Sequence, residues 1–180
     1  MCKKKSLWAF HRFFKRIQHS TTYQTHKRLQ KVLNEDEIQF QKAIYSRLKI
    51  KLRSKSFKPN IGVAQGSVIS PAMFNIYSED LLYKIEEEAF ISAEDLLASA
   101  DDLLVLCSSP HQLRKVIKII QKWSNENNLG LNAKKSGIVE FLPRCGNQKS
   151  FLKLGSQFEG IPIVSEYKYL GLFKCYTIIY

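Results

Sequence analysis

Two adjacent aspartates, Asp101 and Asp102, stand between two apolar runs in the stretch LLASADDLLVLC, residues 96–107. Each run has the length and composition of a buried β-strand, so the acids are predicted to lie at the tip of a short hairpin. Because side chains alternate along a strand, the two carboxylates cannot both point the same way in regular β geometry. One acid could therefore bind a ligand while the other supports it.

Two interpretations of the acid pair remain open at this point. Carboxylates on a rigid apolar support are costly in free energy unless cations neutralise them, and Mg²⁺ prefers hard oxygen ligands of this kind. The pair is therefore a candidate metal site. An ordinary acidic turn gives the same residues, because aspartate is common in turns.

Three further motifs accompany the hairpin. GVAQGSVISP precedes it at residues 62–71, and NAKKS and YKYLG follow it at residues 132–136 and 167–171. In this order the four segments resemble the reverse transcriptases, in particular those of non-LTR retrotransposons and group II introns. That family has a glutamine-glycine loop, a [YF]ADD hairpin, an N-x-x-K-[ST] segment and YLG. The resemblance covers roughly residues 29–172.

The resemblance implies a polymerase active site. It implies two-metal phosphoryl transfer with two Mg²⁺ ions, on an RNA template and a DNA primer with deoxynucleotides as substrates. The resemblance assigns catalysis and metal binding to Asp101 and Asp102. It assigns nucleotide binding to Gln65, Gly66 and Lys135, and the primer grip to Tyr169, Leu170 and Gly171. Each loop also has a purely structural interpretation. The loop with Gln65 and Gly66 would be a glycine-rich turn before a core helix, and the loop with Lys135 would be a solvated lysine turn.

Two departures from the family pattern concern the chemistry. Ser99 stands where the family has an aromatic residue before the acid pair. The family also supplies a second-strand aspartate from a D-x-x-x-[AG]-[FY]-D segment, and here Arg16 and Thr22 fall where its two acids belong. The two-metal site is therefore expected to be incomplete, and the chain alone to be an inactive, truncated palm. The alternatives are an RNA-binding relic without catalysis and a structural subunit of an RNA-containing assembly.

The basic excess of the chain lies near its N-terminus. The net charge is +12, and residues 1–60 hold 16 Lys and Arg against three acids. Such a segment suits a phosphate-backbone partner, although an anionic membrane or a mitochondrial presequence would favour the same composition. Within it, residues 48–53 alternate as a strand whose wet face carries Lys49, Lys51 and Arg53. These cations are predicted either to contact nucleic acid or to protect a solvated edge strand.

The predicted fold is α+β, with a palm-like antiparallel sheet around the Asp101 hairpin and helices on one face. Residues 1–34 are predicted to be a basic, non-core segment and residues 35–180 the reverse-transcriptase-like palm, with incomplete fingers and no thumb. Apolar stripes predict two helices. The first has Ser70 as its N-cap and runs to about Glu88, with the stripe Phe74, Tyr77, Leu81 and Ile85. The second is capped at Ser109 and ends at Gly130, and its inward side chains are Leu113, Val116, Ile117, Ile120 and Trp123. No transmembrane helix is predicted. Other predicted features are a turn at 86–95 and strands at 137–142, 151–154, 161–164 and 167–173.

Overall fold

The computed structural model describes residues 6–10, 14–15, 29–30, 32–57, 68–99, 102–127, 129–141, 151–169 and 173–176. The helices with described bounds are α1 (Glu35–Arg47), α2 (Ser70–Ala89) and α3 (Pro110–Glu126). The strands are β1 (Ser6–Phe10), β2 (Phe14–Lys15), β3 (Ile50–Leu52), β4 (Lys55–Phe57), β5 (Leu96–Ser99), β6 (Asp102–Cys107), β7 (Gly130–Leu131), β8 (Gln157–Phe158), β9 (Ile161–Pro162), β10 (Glu166–Tyr169) and β11 (Phe173–Tyr176).

A three-stranded antiparallel sheet of order β1-β6-β5 places β6 in the middle. The other described pairs are two-stranded: β2 with β7, β3 with β4, β8 with β9 and β10 with β11. This mixture of helices and small antiparallel sheets is compatible with the predicted α+β class. None of the helices in the described part of the chain is both long and apolar enough to cross a membrane.

The helix α2 buries the predicted stripe of Phe74, Tyr77, Leu81 and Ile85. Its start differs from the prediction, because Ile69 is the N-cap residue and Ser70 is already helical, without a side-chain cap. The predicted turn at 86–95 begins later than expected, since the helix continues to Ala89, and the connection then includes a short 3₁₀ turn at Ala93–Asp95.

The helix α3 begins as predicted, with the Ser109 hydroxyl accepting the Gln112 N–H at 3.2 Å. It ends at Glu126 rather than at Gly130. The side chains predicted to face inward are all buried, and they share one core with α2 and with β6. They are Leu113, Val116, Ile117, Ile120 and Trp123.

Polar contacts fix α2 against α3. The Trp123 indole N–H donates to Asp80 at 3.0 Å, and the Tyr77 hydroxyl donates to the Asn127 side chain at 3.1 Å. At the other end, the Gln112 amide donates to the carbonyls of Ala89 and Phe90 at 3.1 Å each. The helix pair is therefore tied at both ends, and it forms a rigid support for the strand behind it.

Several predicted strands are shorter than expected. The predicted strand at 48–53 is reduced to β3, and Arg53 lies in the turn between β3 and β4, in the left-handed region at φ 53°. Residues 151–154 form turns, and the segment 137–142 contributes only a parallel bridge from Ile138 to Ile163 within its described residues. Loops that satisfy their backbone groups locally have no need of a ladder partner.

The N-terminal segment contributes a strand to the main sheet. β1 pairs antiparallel with β6 from Ser6 opposite Cys107 to Phe10 opposite Leu103. Phe14 and Lys15 pair with Leu131 and Gly130. The domain boundary at residue 34 stays a prediction, but residues on its N-terminal side form ladders with residues on its C-terminal side.

Candidate active site

The predicted acid hairpin is present, and it is formed by β5 and β6. Ser99 pairs with Asp102 at the last position of the ladder between the two strands. Asp102 begins the central strand and is only 7% exposed. The expectation that both strands are buried is wrong for β5, where Leu97 is 48% exposed, because β5 lies at one side of the three-stranded order.

The two faces of β6 have different neighbours. Leu103, Val105 and Cys107 belong to the core shared with the helices. Burial raises the pKa of the Cys107 thiol to about 12, with a further contribution from the negative charge of Asp95. Asp102 and Leu104 alternate with these residues and therefore lie on the opposite face.

The donor chemistry of this hairpin suits a magnesium ion only in part. Asp102 offers hard carboxylate oxygens, which Mg²⁺ prefers. In the described ranges, however, no three His, Cys, Asp or Glu side chains come together as a metal-holding group. The strands on either side of β6 read SLWAF in β1 and LLAS in β5, so neither flanking strand contributes a carboxylate.

The predicted nucleotide lysine lies on a short turn near the hairpin strand. Lys135 is exposed at the end of a 3₁₀ turn, Ala133–Lys135, in which its own N–H donates to the Asn132 carbonyl at 2.9 Å. The Ser136 hydroxyl donates to that carbonyl at 3.0 Å and closes the turn. The exposure of Lys135 leaves its ammonium group accessible to an anion.

Tyr167 connects this turn to the hairpin. Its hydroxyl donates to the Lys135 carbonyl at 2.7 Å, and its side chain packs against Leu104 of β6. Its ring also covers Gly137, where an added Cβ would come within 2.8 Å of the ring atom Cδ2. The turn, the glycine and the Asp102 face of β6 are thus in contact through one aromatic side chain.

The β3–β4 hairpin, which is distinct from the acid hairpin, carries three cations on or beside its strands. They are Lys49, Lys51 and Arg53, and they are called the hairpin cations below. All three side chains are exposed. Lys51 pairs across the hairpin with Ser56, and Lys49 precedes the first strand. Their positions are accessible to a polyanion. Within the described residues, no hydrogen bond or ion pair joins them to Asp102 or Lys135.

Several predicted site residues lie outside the described residues, namely Asp101, Gln65, Gly66, Leu170 and Gly171. Tyr169 ends β10 and pairs through its backbone with Phe173. The roles assigned to these residues stay predictions. An open cleft of about 270 Å³ is lined by Leu96, Tyr83 and Glu86 among others. It lies at the far end of β5, about 10 Å along the strand from Ser99.

Two residues of the site were not singled out in the sequence. Gly137 was assigned to a strand, and a glycine within an apolar strand often marks the close approach of another group. In the sequence, Tyr167 is the first residue of the YKYLG motif and of the last predicted strand, and neither pattern gives it a role of its own. A separate buried acid, Glu140, accepts the N–H groups of Phe151 and Leu152 at 3.0 and 3.2 Å. An acid inside the run GIVEF was the available signal.

The sequence profile of one family, described as reverse transcriptase (RNA-dependent DNA polymerase), matches residues 9–173. The match includes the acid hairpin, the Lys135 turn and Tyr167. It begins inside β1, the strand that pairs with β6.

Curated relatives come from mobile elements. The chain is 30% identical over 118 residues, 62% of its length, to the RNA-directed DNA polymerase from mobile element jockey of Drosophila funebris. It is 30% identical over 129 residues, 65% of its length, to the jockey protein of Drosophila melanogaster. It is 24% identical over 134 residues, 68% of its length, to the retrovirus-related Pol polyprotein from type-1 retrotransposable element R2 of Nasonia vitripennis.

The matched part spans 13% of the length of each of these relatives. The family profile, by contrast, matches well over half of the 180 residues. Together with the acid hairpin at the centre of the main sheet, this match shows that the chain belongs to the reverse transcriptase family.

Proposed function

We propose that this chain is part of the palm of a non-LTR retrotransposon reverse transcriptase, the RNA-directed DNA polymerase of such an element. The observation that carries the proposal is the position of Asp102, a buried carboxylate at the first residue of the central strand. Aspartate is seldom buried to this extent, and the match to the reverse transcriptase family covers this hairpin. The names of the mobile-element relatives support the same assignment.

In this proposal, Asp101 and Asp102 hold Mg²⁺, which reverse transcriptases generally use in catalysis. A metal bound there would supply Lewis-acid activation of the primer 3′-hydroxyl and neutralisation of charge on the leaving pyrophosphate. The chain's own residues bind and orient the substrates. Lys135 binds the nucleotide phosphates, Gln65 and Gly66 flank the nucleotide, and the primer end rests on Tyr169, Leu170 and Gly171.

We propose further that the 180-residue chain alone does not extend a primer. A two-metal site needs a carboxylate from a second strand to fix both ions. The described strands that flank β6 contain no acid, and residues 1–34 contain no Asp or Glu at all. The second metal would be poorly held, so another polypeptide or a longer product of the element must supply the missing ligand.

A second candidate function is RNA binding without catalysis, either as a relic of the enzyme or as a structural subunit of an RNA-containing assembly. The observation that favours it is the combination of acid-free flanking strands with a basic excess of 16 Lys and Arg over three acids in residues 1–60. Phosphate contacts of this kind bind RNA with an affinity that falls steeply as salt rises. The hairpin cations are the described candidates for such contacts.

Mg²⁺-dependent primer extension on an RNA template tests the proposal. The purified chain is compared with Asp101→Ala and Asp102→Asn, and with Asp95→Asn as a matched control that removes one charge at the other end of the hairpin. Adding a reverse transcriptase segment that carries the missing aspartate should restore extension to the wild type and to Asp95→Asn only. Restoration in Asp102→Asn would contradict the role of Asp102.

The second candidate has a different signature in the same experiment. RNA binding that is equal in all variants, with no extension under complementation, would favour the non-catalytic function. Primer extension by the chain without any added segment would contradict the proposal that a metal-binding carboxylate is missing. Another acid of this chain would then complete the two-metal site.

A further inference from the structure

Tyr167 contacts three separate parts of the chain with one side chain. Its hydroxyl donates to the Lys135 carbonyl at 2.7 Å, and its ring packs on Leu104 of β6. The third contact is with Gly137, where a Cβ would lie 2.8 and 3.1 Å from the ring atoms Cδ2 and Cε2. Ordinary contacts between carbon atoms are about 3.5–4.0 Å. The ring therefore occupies the space that any other residue at position 137 would need.

The contact with Leu104 links Tyr167 to the candidate active site. Leu104 and Asp102 are two residues apart on one strand, so their side chains are on the same face of β6. Leu104 is 7% exposed, and it belongs to a packing group separate from the helix-side core. Tyr167 is thus the described residue that joins the Asp102 face to the turn that presents Lys135.

The backbone on both sides of this contact is held in place. The Ile138 N–H donates to the Pro162 carbonyl and the Val164 N–H donates to the Ile138 carbonyl, both at 2.9 Å. Tyr167 itself lies in β10, which pairs with β11. A ring fixed between two anchored segments transmits a displacement of one to the other, because packed side chains have little free volume.

We propose that Tyr167 is a positioning residue, which fixes the Lys135 turn relative to the Asp102 face of β6 so that both residues act on one nucleotide. The inference rests on the proposed function, in which Lys135 binds the nucleotide phosphates. Tyr167 itself touches neither nucleotide nor metal. It acts by holding the Lys135 carbonyl, and its effect on the nucleotide passes entirely through Lys135.

Nucleotide binding by the full chain tests this role without requiring catalysis. The probe is a fluorescent N-methylanthraniloyl derivative of dGTP in the presence of Mg²⁺. Tyr167→Phe keeps the ring but loses the hydroxyl donor, and it should raise the Kd by about 2- to 10-fold, which corresponds to the loss of one hydrogen bond. Lys135→Ala should raise the Kd by at least about 10-fold, because it removes a charge-assisted contact.

The double variant separates positioning from general destabilisation. Since Tyr167 acts through Lys135, the Kd of Tyr167→Phe with Lys135→Ala should equal that of Lys135→Ala alone. Independent effects would instead multiply. If Tyr167→Phe leaves the Kd unchanged, or if the two effects multiply, the positioning role is overturned while the proposed function stands.

Failure of the proposed function gives a different result. No saturable, Mg²⁺-dependent binding to the wild type, or no effect of Lys135→Ala, would overturn the nucleotide role of Lys135 and the positioning role with it. Hydrogen exchange adds a direct readout of the contact. The amide of Lys135, which donates to Asn132, should exchange several-fold faster in Tyr167→Phe. An unchanged exchange rate at that amide would also overturn the inference.

Discussion

The packing of Tyr167 on Gly137 predicts that Gly137→Ala destabilises the protein. The added Cβ would lie 2.8 Å from Tyr167 Cδ2 and 3.0 Å from Val164 Cγ2. To reach ordinary contact, the ring would have to move by roughly 0.7 Å, away from a hydroxyl contact of 2.7 Å. Overpacking of this kind costs about 1–3 kcal/mol of unfolding free energy.

One opposing effect reduces the expected loss. The backbone of Gly137 is not among the residues with positive φ, so alanine can adopt its conformation. Replacing glycine at such a position stabilises by about 0.4–1 kcal/mol, because the unfolded chain loses conformational freedom. The net loss should therefore be about 1–2 kcal/mol. It should appear in urea unfolding as a lower midpoint with an unchanged slope.

Two comparisons make this prediction specific to the ring. In a Tyr167→Leu background, Gly137→Ala should be nearly neutral, because the remaining close contact with Val164 Cγ2 is offset by the stabilisation that alanine gives over glycine. The double-mutant cycle should then give a coupling energy of about 1–2 kcal/mol. Gly155→Ala is the matched control: its φ is +79° and nothing lies within 4 Å of the added Cβ, so its cost is backbone strain alone. That cost should be the same in both backgrounds. A neutral Gly137→Ala, or an equal loss with and without the ring, would refute the packing argument.

Further outcomes at three sites can be measured on the same chain. Trp123→Phe should lower the unfolding free energy by about 2–3 kcal/mol in urea titrations, because it removes buried volume and the indole N–H bond to Asp80. Cys107, with its pKa raised to about 12, should resist alkylation in the native protein at mildly alkaline pH but react in urea, as followed by peptide mass spectrometry. The thiol has a pKa of 9.0 in the unfolded chain, so above that pH the unfolded thiol loses its proton while the folded thiol keeps it. The contribution of Cys107 to stability is therefore fully present below pH 9 and is lost as the pH rises from 9 to about 12. Changing the three hairpin cations to Gln should weaken RNA binding, as measured by fluorescence anisotropy, and should reduce the slope of log K against log salt concentration by about 2–3. The same charge change at exposed control lysines should have less effect; these are Lys42, Lys118 and Lys122.

Local patterns in the sequence predicted the helices well. The stripe through Phe74, Tyr77 and Leu81 follows helical spacing, and Ser109 caps its helix with the expected hydrogen bond. Such features depend on residues three or four positions apart, so a single sequence contains them. The β5–β6 hairpin could also be predicted from the sequence, because its two apolar runs and the acid pair between them are contiguous.

Features that depend on distant residues could not be predicted in the same way. No local pattern indicates that β1 pairs with β6, because the partners are about a hundred positions apart in the chain. The run at 151–154 has strand composition, yet its N–H groups at Phe151 and Leu152 are bonded by the Glu140 carboxylate. A side chain therefore takes the place of a neighbouring strand, and the segment turns instead of extending.

The alternation along β6 explains how one strand can serve both the core and the candidate site. Leu103, Val105 and Cys107 pack into the helix-side core, and the stability of the hairpin depends on them. The other face carries Asp102 and Leu104, each only 7% exposed. The helix pair behind β6 packs only against the first of these faces. Substitutions on the core face should therefore act on folding, whereas those around Tyr167 and Leu104 should act on the geometry between Asp102 and Lys135.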